Sequence, residues 1–179
     1  MLEIIKKTVA DIRLKSDCKN LQRERKNPDF HKASKIGILY DATEREEFFM
    51  VKEFFKDLKE SGKQPYSLGY INFNEATFHP LARPEADYFF KNQLNWFGKP
   101  ACLVTDNFIK EPFDILINLT IRDLYPLDYL AAMSVSGLKI GREASKIAKY
   151  CDITFKLDER ADIKSFAYII IHYLKTINA

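Results

Sequence analysis

The chain has 179 residues, 46% of them hydrophobic and 30% charged, a balance that excludes a disordered or collagen-like polymer and suits one globular domain with its own core. The net charge of +3 is unevenly placed, because residues 1–35 hold ten Lys or Arg against five Asp or Glu and the remainder carries −2. With no apolar run near the roughly 20 residues that span a bilayer and no signal-peptide pattern, the expectation is a cytoplasmic protein without a transmembrane segment.

The first element expected is a basic amphipathic helix. Leu2, Ile5, Val9 and Ile12 recur at helical spacing, with Lys6, Lys7, Arg13 and Lys15 between them. This narrow stripe is expected to dock on the chain's own domain or on a second copy. Asn27-Pro28 breaks the helix, and residues 27–34 read as a linker. The division is thus an arm and linker over 1–34 and a single domain over 35–179.

Lys35-Ile36-Gly37-Ile38-Leu39-Tyr40-Asp41 reads as a strand covered on both faces. Thr43 with Glu46 forms a capping box for a helix carrying Phe48, Val51, Phe55 and Leu58, which Ser61-Gly62 ends. Tyr66 to Ile71 is the second strand. Residues 73–100 hold Pro80, Pro84 and Pro100 around Tyr88, Phe89, Phe90, Trp96 and Phe97, and predict a short helix and irregular loops. Further strands are expected over Ala101 to Thr105, Asp114 to Leu119, Leu138 to Gly141 and Ile153 to Leu157. Asp123 is placed to cap a helix with Pro126 in its first turn and Gly137 at its end, and Asp158 to Asn178 closes the chain as a helix facing inward through Ile163, Phe166, Ile170, Tyr173 and Ile177. Alternating strands and helices predict an α/β fold, a Rossmann-like three-layer sandwich with a mainly parallel sheet of five or six strands.

In such a sheet, ligands bind beyond the carboxyl ends of the strands. The candidates there are Asp41 and Thr43, then Tyr70 and Asn72, then Asn118, Thr120, Arg122 and Asp123, then Gly141 and Arg142. Arg122 and Arg142 have the chemistry to grip a small anionic ligand, a phosphate or a carboxylate. Asp41, at the first strand-to-helix turn, would instead repel a phosphate. That turn, Tyr40-Asp41-Ala42-Thr43-Glu44, contains neither a G-x-G-x-x-G pattern nor a Walker lysine. His31, His79 and His172 are scattered, Cys18, Cys102 and Cys151 are widely spaced, and no serine sits in a G-x-S-x-G elbow. Accordingly no cofactor, no metal and no catalytic residue is expected.

The basic arm admits another partner class. Arg13, Lys15, Lys19, Arg23, Arg25 and Lys26 offer charge to nucleic-acid phosphates or to an anionic membrane. A charged helix is more often a solvated face, so nucleic acid is not the expected partner and association between copies through the helix ranks above it.

Two resemblances complete the reading. Phe113-Asp114-Ile115-Leu116-Ile117-Asn118-Leu119, Tyr125-Pro126-Leu127, Ser134 and Leu138-Lys139-Ile140-Gly141-Arg142 resemble the N-terminal half of heptosyltransferase-type glycosyltransferases. That likeness implies a Rossmann-like half-domain and a sugar-like ligand, but those enzymes react in a cleft between two such domains. Asn118 also stands where their strand has aspartate, and no catalytic residue carries over. Over most of the chain, Lys35 to Asp41, Leu68-Gly69-Tyr70-Ile71, Asn95-Trp96-Phe97-Gly98-Lys99-Pro100 and the block from Asp114 to Arg142 resemble a bacterial family of this length with no assigned activity. The function expected first is a non-catalytic binding or interaction domain. The alternatives are a small enzyme or subunit acting on a phosphorylated or sugar-like ligand at the sheet edge, and a protein tethered to nucleic acid by its arm.

Overall fold

The computed structural model describes residues 1–26, 29–75 and 84–177. The Asn27-Pro28 break, His79, Pro80 and the Asn178 end expected for the last helix lie outside them. In chain order the elements are α1 (Leu2–Lys19), β1 (Lys35–Asp41), α2 (Arg45–Glu60), β2 (Gln64–Ile71), β3 (Ala86–Phe90), α3 (Leu103–Lys110), β4 (Ile115–Asn118), α4 (Tyr125–Met133), β5 (Leu138–Arg142), β6 (Ile153–Phe155) and α5 (Ile163–Ile177). The six strands form one sheet in the order β3-β2-β1-β4-β5-β6, and every pairing is parallel. This is the doubly wound Rossmann order, with its reversal between β1 and β4.

Strand alternation divides the core in two. Ile36, Ile38, Tyr40, Ile115, Ile117 and Ile140 point to one face, where Val51, Phe54, Phe55 and Leu58 of α2 meet Ile163, Phe166, Ile170 and Leu174 of α5. Leu39, Leu68, Tyr70, Phe89 and Leu116 point to the other, under Phe108 of α3, Leu127 and Leu130 of α4 and Leu14 of α1. Because the sheet is covered on both sides, its central strands are apolar nearly throughout rather than alternating with polar residues. Gly62, at φ +75°, ends α2 in the left-handed region that glycine enters without a Cβ penalty.

Gly37 meets a different constraint. A Cβ there would lie 2.7 Å from Cδ2 of Phe113, whose buried ring packs against Tyr66 and Phe108. Gly37→Ala is therefore expected to cost about 1–2 kcal/mol through overpacking. A urea midpoint equal to that of the wild type would contradict this.

Four local expectations are corrected. Residues 101–105 do not form a strand: Cys102 precedes α3, Thr105 Oγ1 donates to its carbonyl, and Thr105 and Phe108 are buried three residues apart on one helical face. The third strand is instead the aromatic run Ala86–Phe90, where no strand was expected. α4 ends at Met133, with Ser134 rather than Gly137 closing it. α5 begins at Ile163, and Asp162 before it accepts from the Ser165 N–H at 2.7 Å.

Helix α1 packs on α4, but through other residues than expected. Ala10 and Leu14 are buried, Tyr125 donates to the Ala10 carbonyl at 3.0 Å, and Tyr129 donates to Asp17 at 2.7 Å. Leu2, Ile5 and Ile12 face outward. Beyond α1, Arg23 folds inward to donate to the carbonyls of Ser136 and Gly137 and to pair with Asp152.

Candidate functional site

The carboxyl ends of β1, β2, β4 and β5 bring the sequence candidates into two clusters. In the first, Asp41 ends β1 on the α3/α4 face, buried, with each of its oxygens engaged. Oδ1 accepts from the Thr43 N–H at 3.0 Å, and Oδ2 accepts from Arg122 Nε at 3.0 Å and Nη2 at 2.7 Å. Arg122 comes from the loop after β4, so this contact crosses the switch point of the sheet. Its Nη2 also donates to Glu47 Oε1 at 2.8 Å.

Thr43 is not the helix cap expected. The N-cap of α2 is Glu44, without a side-chain bond, and Thr43 Oγ1 accepts from the Asn72 N–H at 3.0 Å. Asn72 Oδ1 in turn accepts from the Tyr70 hydroxyl at 3.0 Å, which ties the end of β2 to the same cluster. Burial, with Asp41 nearby, pushes the Tyr70 hydroxyl up to about 12. Glu47 is pushed up to about 7, first by burial and then by the charges of Asp41 and Glu44, against the pull of Arg122. Its Oε2 is buried without a hydrogen-bond partner among the described residues. Two carboxyl groups thus share one guanidinium, and burial of a carboxyl that Arg122 holds by one oxygen only is what raises Glu47.

The second cluster lies on the far side of β4. Arg142, at the end of β5, donates to Asp123 at 2.5 Å. Asp123 therefore does not cap α4, whose N-cap is Leu124 with Pro126 in the first turn. Asp128, inside α4 and 4% exposed, takes one long hydrogen bond of 3.4 Å from Ser145. Burial and the charge of Asp123 raise it to about 7, opposed by Ser145, Arg142 and Lys146. Asn118 and Thr120 are buried in the chain between the clusters, and Asn118 Oδ1 has no hydrogen-bond partner among the described residues.

A pocket of about 380 Å³ opens beside this second cluster, walled by α1 and the first turn of α4. Lys6, Lys7 and Lys146 line it together with Asp11, Asp123 and Asp128, with Phe97 and Tyr125 supplying apolar wall. Its volume lies within the range of small-ligand sites. Cavities of similar size, about 360 and 350 Å³, lie at the opposite end of the sheet beside Tyr66 and between α2 and α5. Neither adjoins the switch point.

Glu47 and Asp128 were missed in the sequence. Asp128 had a signal, a carboxylate set within the apolar run Leu127 to Ala132. Glu47 had none, since a glutamate in the first turn of a helix is ordinary. Among the described residues no group of three His, Cys, Asp or Glu is placed to hold a metal ion. No described helix is long and apolar enough to cross a membrane.

No curated protein and no solved structure matches the chain, so the likeness to heptosyltransferases gains no support. A family model does match, over residues 6–177. This match, over nearly the whole chain, places it in DUF6913, a family of unknown function.

Proposed function

We propose that the chain is a non-catalytic binding or interaction domain whose sheet edge is closed by its own charges. The observation that carries this reading is the Arg122 bridge to Asp41 and Glu47 across the switch point. A phosphate or carboxylate entering there would take Arg122 from Asp41 and leave a buried carboxylate facing an anion. Arg142 is committed in the same way to Asp123. In a thermal-shift panel of nicotinamide, adenine and uridine nucleotides with sugar phosphates, the melting temperature is expected to stay unchanged. Turnover of any member, abolished in Asp41→Asn, would overturn the reading.

A second reading, a small enzyme or subunit acting on a phosphorylated or sugar-like ligand, is favoured by one observation: a carboxyl raised to about 7 at the wall of a pocket that three lysines line. Such a value suits general acid–base work at neutral pH. The ligand would then sit beside Asp128 and Lys146 rather than on Arg122. Equal affinity of wild type, Lys146→Ala and Asp128→Asn for every bound sugar phosphate would remove this reading.

The division at residue 34 belongs to the same proposal. Within it, the arm is an appended element that clasps the domain through Leu14, Arg23 and Phe30.

A further inference from the structure

Helix α1 carries two apolar faces, and the domain covers one. Ala10 and Leu14 are buried toward α4, and Asp17 and Cys18 complete that side. On the opposite side Leu2, Ile5 and Ile12 remain 67%, 49% and 59% exposed, in one stripe with Val9. At roughly 100° per residue, Lys6 and Arg13 border this stripe on one flank and Lys15 and Lys19 on the other. None of these four cations forms an ion pair among the described residues. The acids of the helix lie elsewhere. Asp17 accepts from Lys99 and Tyr129 and Asp11 lines the pocket against α4, while Glu3, exposed, shares the helical angle of Ala10 and Leu14 rather than that of the stripe.

We propose that this outer face of α1 docks on an anionic lipid surface. The apolar stripe is of the kind that enters the boundary between headgroups and acyl chains, while cations on both flanks reach the lipid phosphates. Charge decides against the other occupants. Pairing the stripe with a second copy would bring a row of cations against a row of cations, with no outward acid to relieve them. A nucleic-acid backbone would satisfy the charge but leave Leu2, Ile5 and Ile12 in water. The inference is independent of whether the sheet edge binds a ligand, since Leu2, Ile5, Val9 and Ile12 do not line the pocket beside α4 and the two surfaces share only Lys6.

The test is co-sedimentation of the full chain with vesicles of phosphatidylcholine alone and of phosphatidylcholine mixed with phosphatidylglycerol. Binding is expected to the mixed vesicles only, and to weaken as salt rises. Ile12→Glu is expected to lower partitioning more than tenfold, and Arg13→Gln or Lys15→Gln roughly fivefold each. All three side chains are exposed, and circular dichroism checks that the fold is kept. Absence of binding to the mixed vesicles at low salt overturns the proposal, as does equal binding to neutral vesicles or undiminished binding by Ile12→Glu. If vesicles are not bound, a dimer lost in Ile12→Glu assigns the stripe to a second copy, and retention on duplex DNA assigns the cations to nucleic acid.

Discussion

Arg23→Ala is expected to lower the folding free energy by about 3–5 kcal/mol at pH 7, the largest loss from any single polar side chain. Arg23 is 7% exposed and its partner Asp152 14%, so removing the guanidinium leaves a largely buried carboxylate with only the Lys139 N–H and the exposed Arg25 at 3.5 Å, and leaves the carbonyls of Ser136 and Gly137 without those donors. Burial by itself raises the Asp152 carboxyl. The Arg23 hydrogen bonds and the Lys139 backbone N–H outweigh burial and hold it below its ordinary value of 3.8. A carboxylate depressed by folding stabilises the native state above its unfolded pKa and loses that contribution as pH falls through the folded one. The gap between wild type and variant should therefore be complete above about pH 5 and narrow once pH drops below 3.8. Urea titrations at pH 7 and pH 3 measure it. A loss under 1 kcal/mol at pH 7, or an equal loss at both, would contradict the account.

Lys139→Met is expected to stabilise the protein, by about 2 kcal/mol at pH 7. Lys139 is 3% exposed, and its Nζ donates to the Ala132 carbonyl at the end of α4 at 2.6 Å. Burial, assisted by the charge of Arg23, pushes its pKa down from 10.5 to about 8. Folding thus disfavours the charged form. The penalty is fully present below the folded value, shrinks as pH rises from about 8, and is gone above 10.5. The shift corresponds to about 3 kcal/mol, from which the lost hydrogen bond to Ala132 subtracts about 1 kcal/mol. Methionine fills similar volume without the charge. The gain should vanish just below pH 10.5 and become a loss of about 1 kcal/mol near pH 11, where only the missing hydrogen bond remains, and destabilisation at pH 7 would show that the ammonium is better paired than its burial indicates. Because Arg23 itself depresses Lys139, the two substitutions are coupled, and the double variant should depart from the sum of the singles.

Much of the fold was legible because two-sided burial leaves a simple mark. The runs at Ile36 to Tyr40 and Ile115 to Leu119 are continuous and apolar, as only strands between two helical layers need to be. The exchange of strand for helix at residues 86–105 has the opposite cause. Ala101 to Thr105 is too short for its period to separate strand from helix, and the helical period shows only with Phe108, three residues beyond the buried Thr105. The aromatic residues Tyr88 to Phe90 were obscured by nearby prolines, although aromatic side chains suit a half-buried strand. α1 misled in another way. Its most regular stripe is the one left in water, and its docking face is made of the small Ala10 and of Leu14, Asp17 and Cys18, whose value depends on the shape of α4.

For the candidate site, the sequence by itself determined the address. Asp41, Thr43, Tyr70, Asn118, Thr120, Arg122 and Arg142 do stand at the carboxyl ends of their strands, because parallel topology follows from the alternation of strand and helix. It also determined the uneven charge, with the positive excess in the arm. Only the tertiary structure decided what those residues face. Arg122 and Asp41 lie 81 positions apart and Arg23 and Asp152 129 apart, separations over which no periodicity or local spacing carries information. Whether a guanidinium waits for a ligand or already holds a carboxylate depends on which loops the sheet brings together. That same folding turned one face of the basic helix inward and left the other, with its isoleucines and lysines, to the solvent.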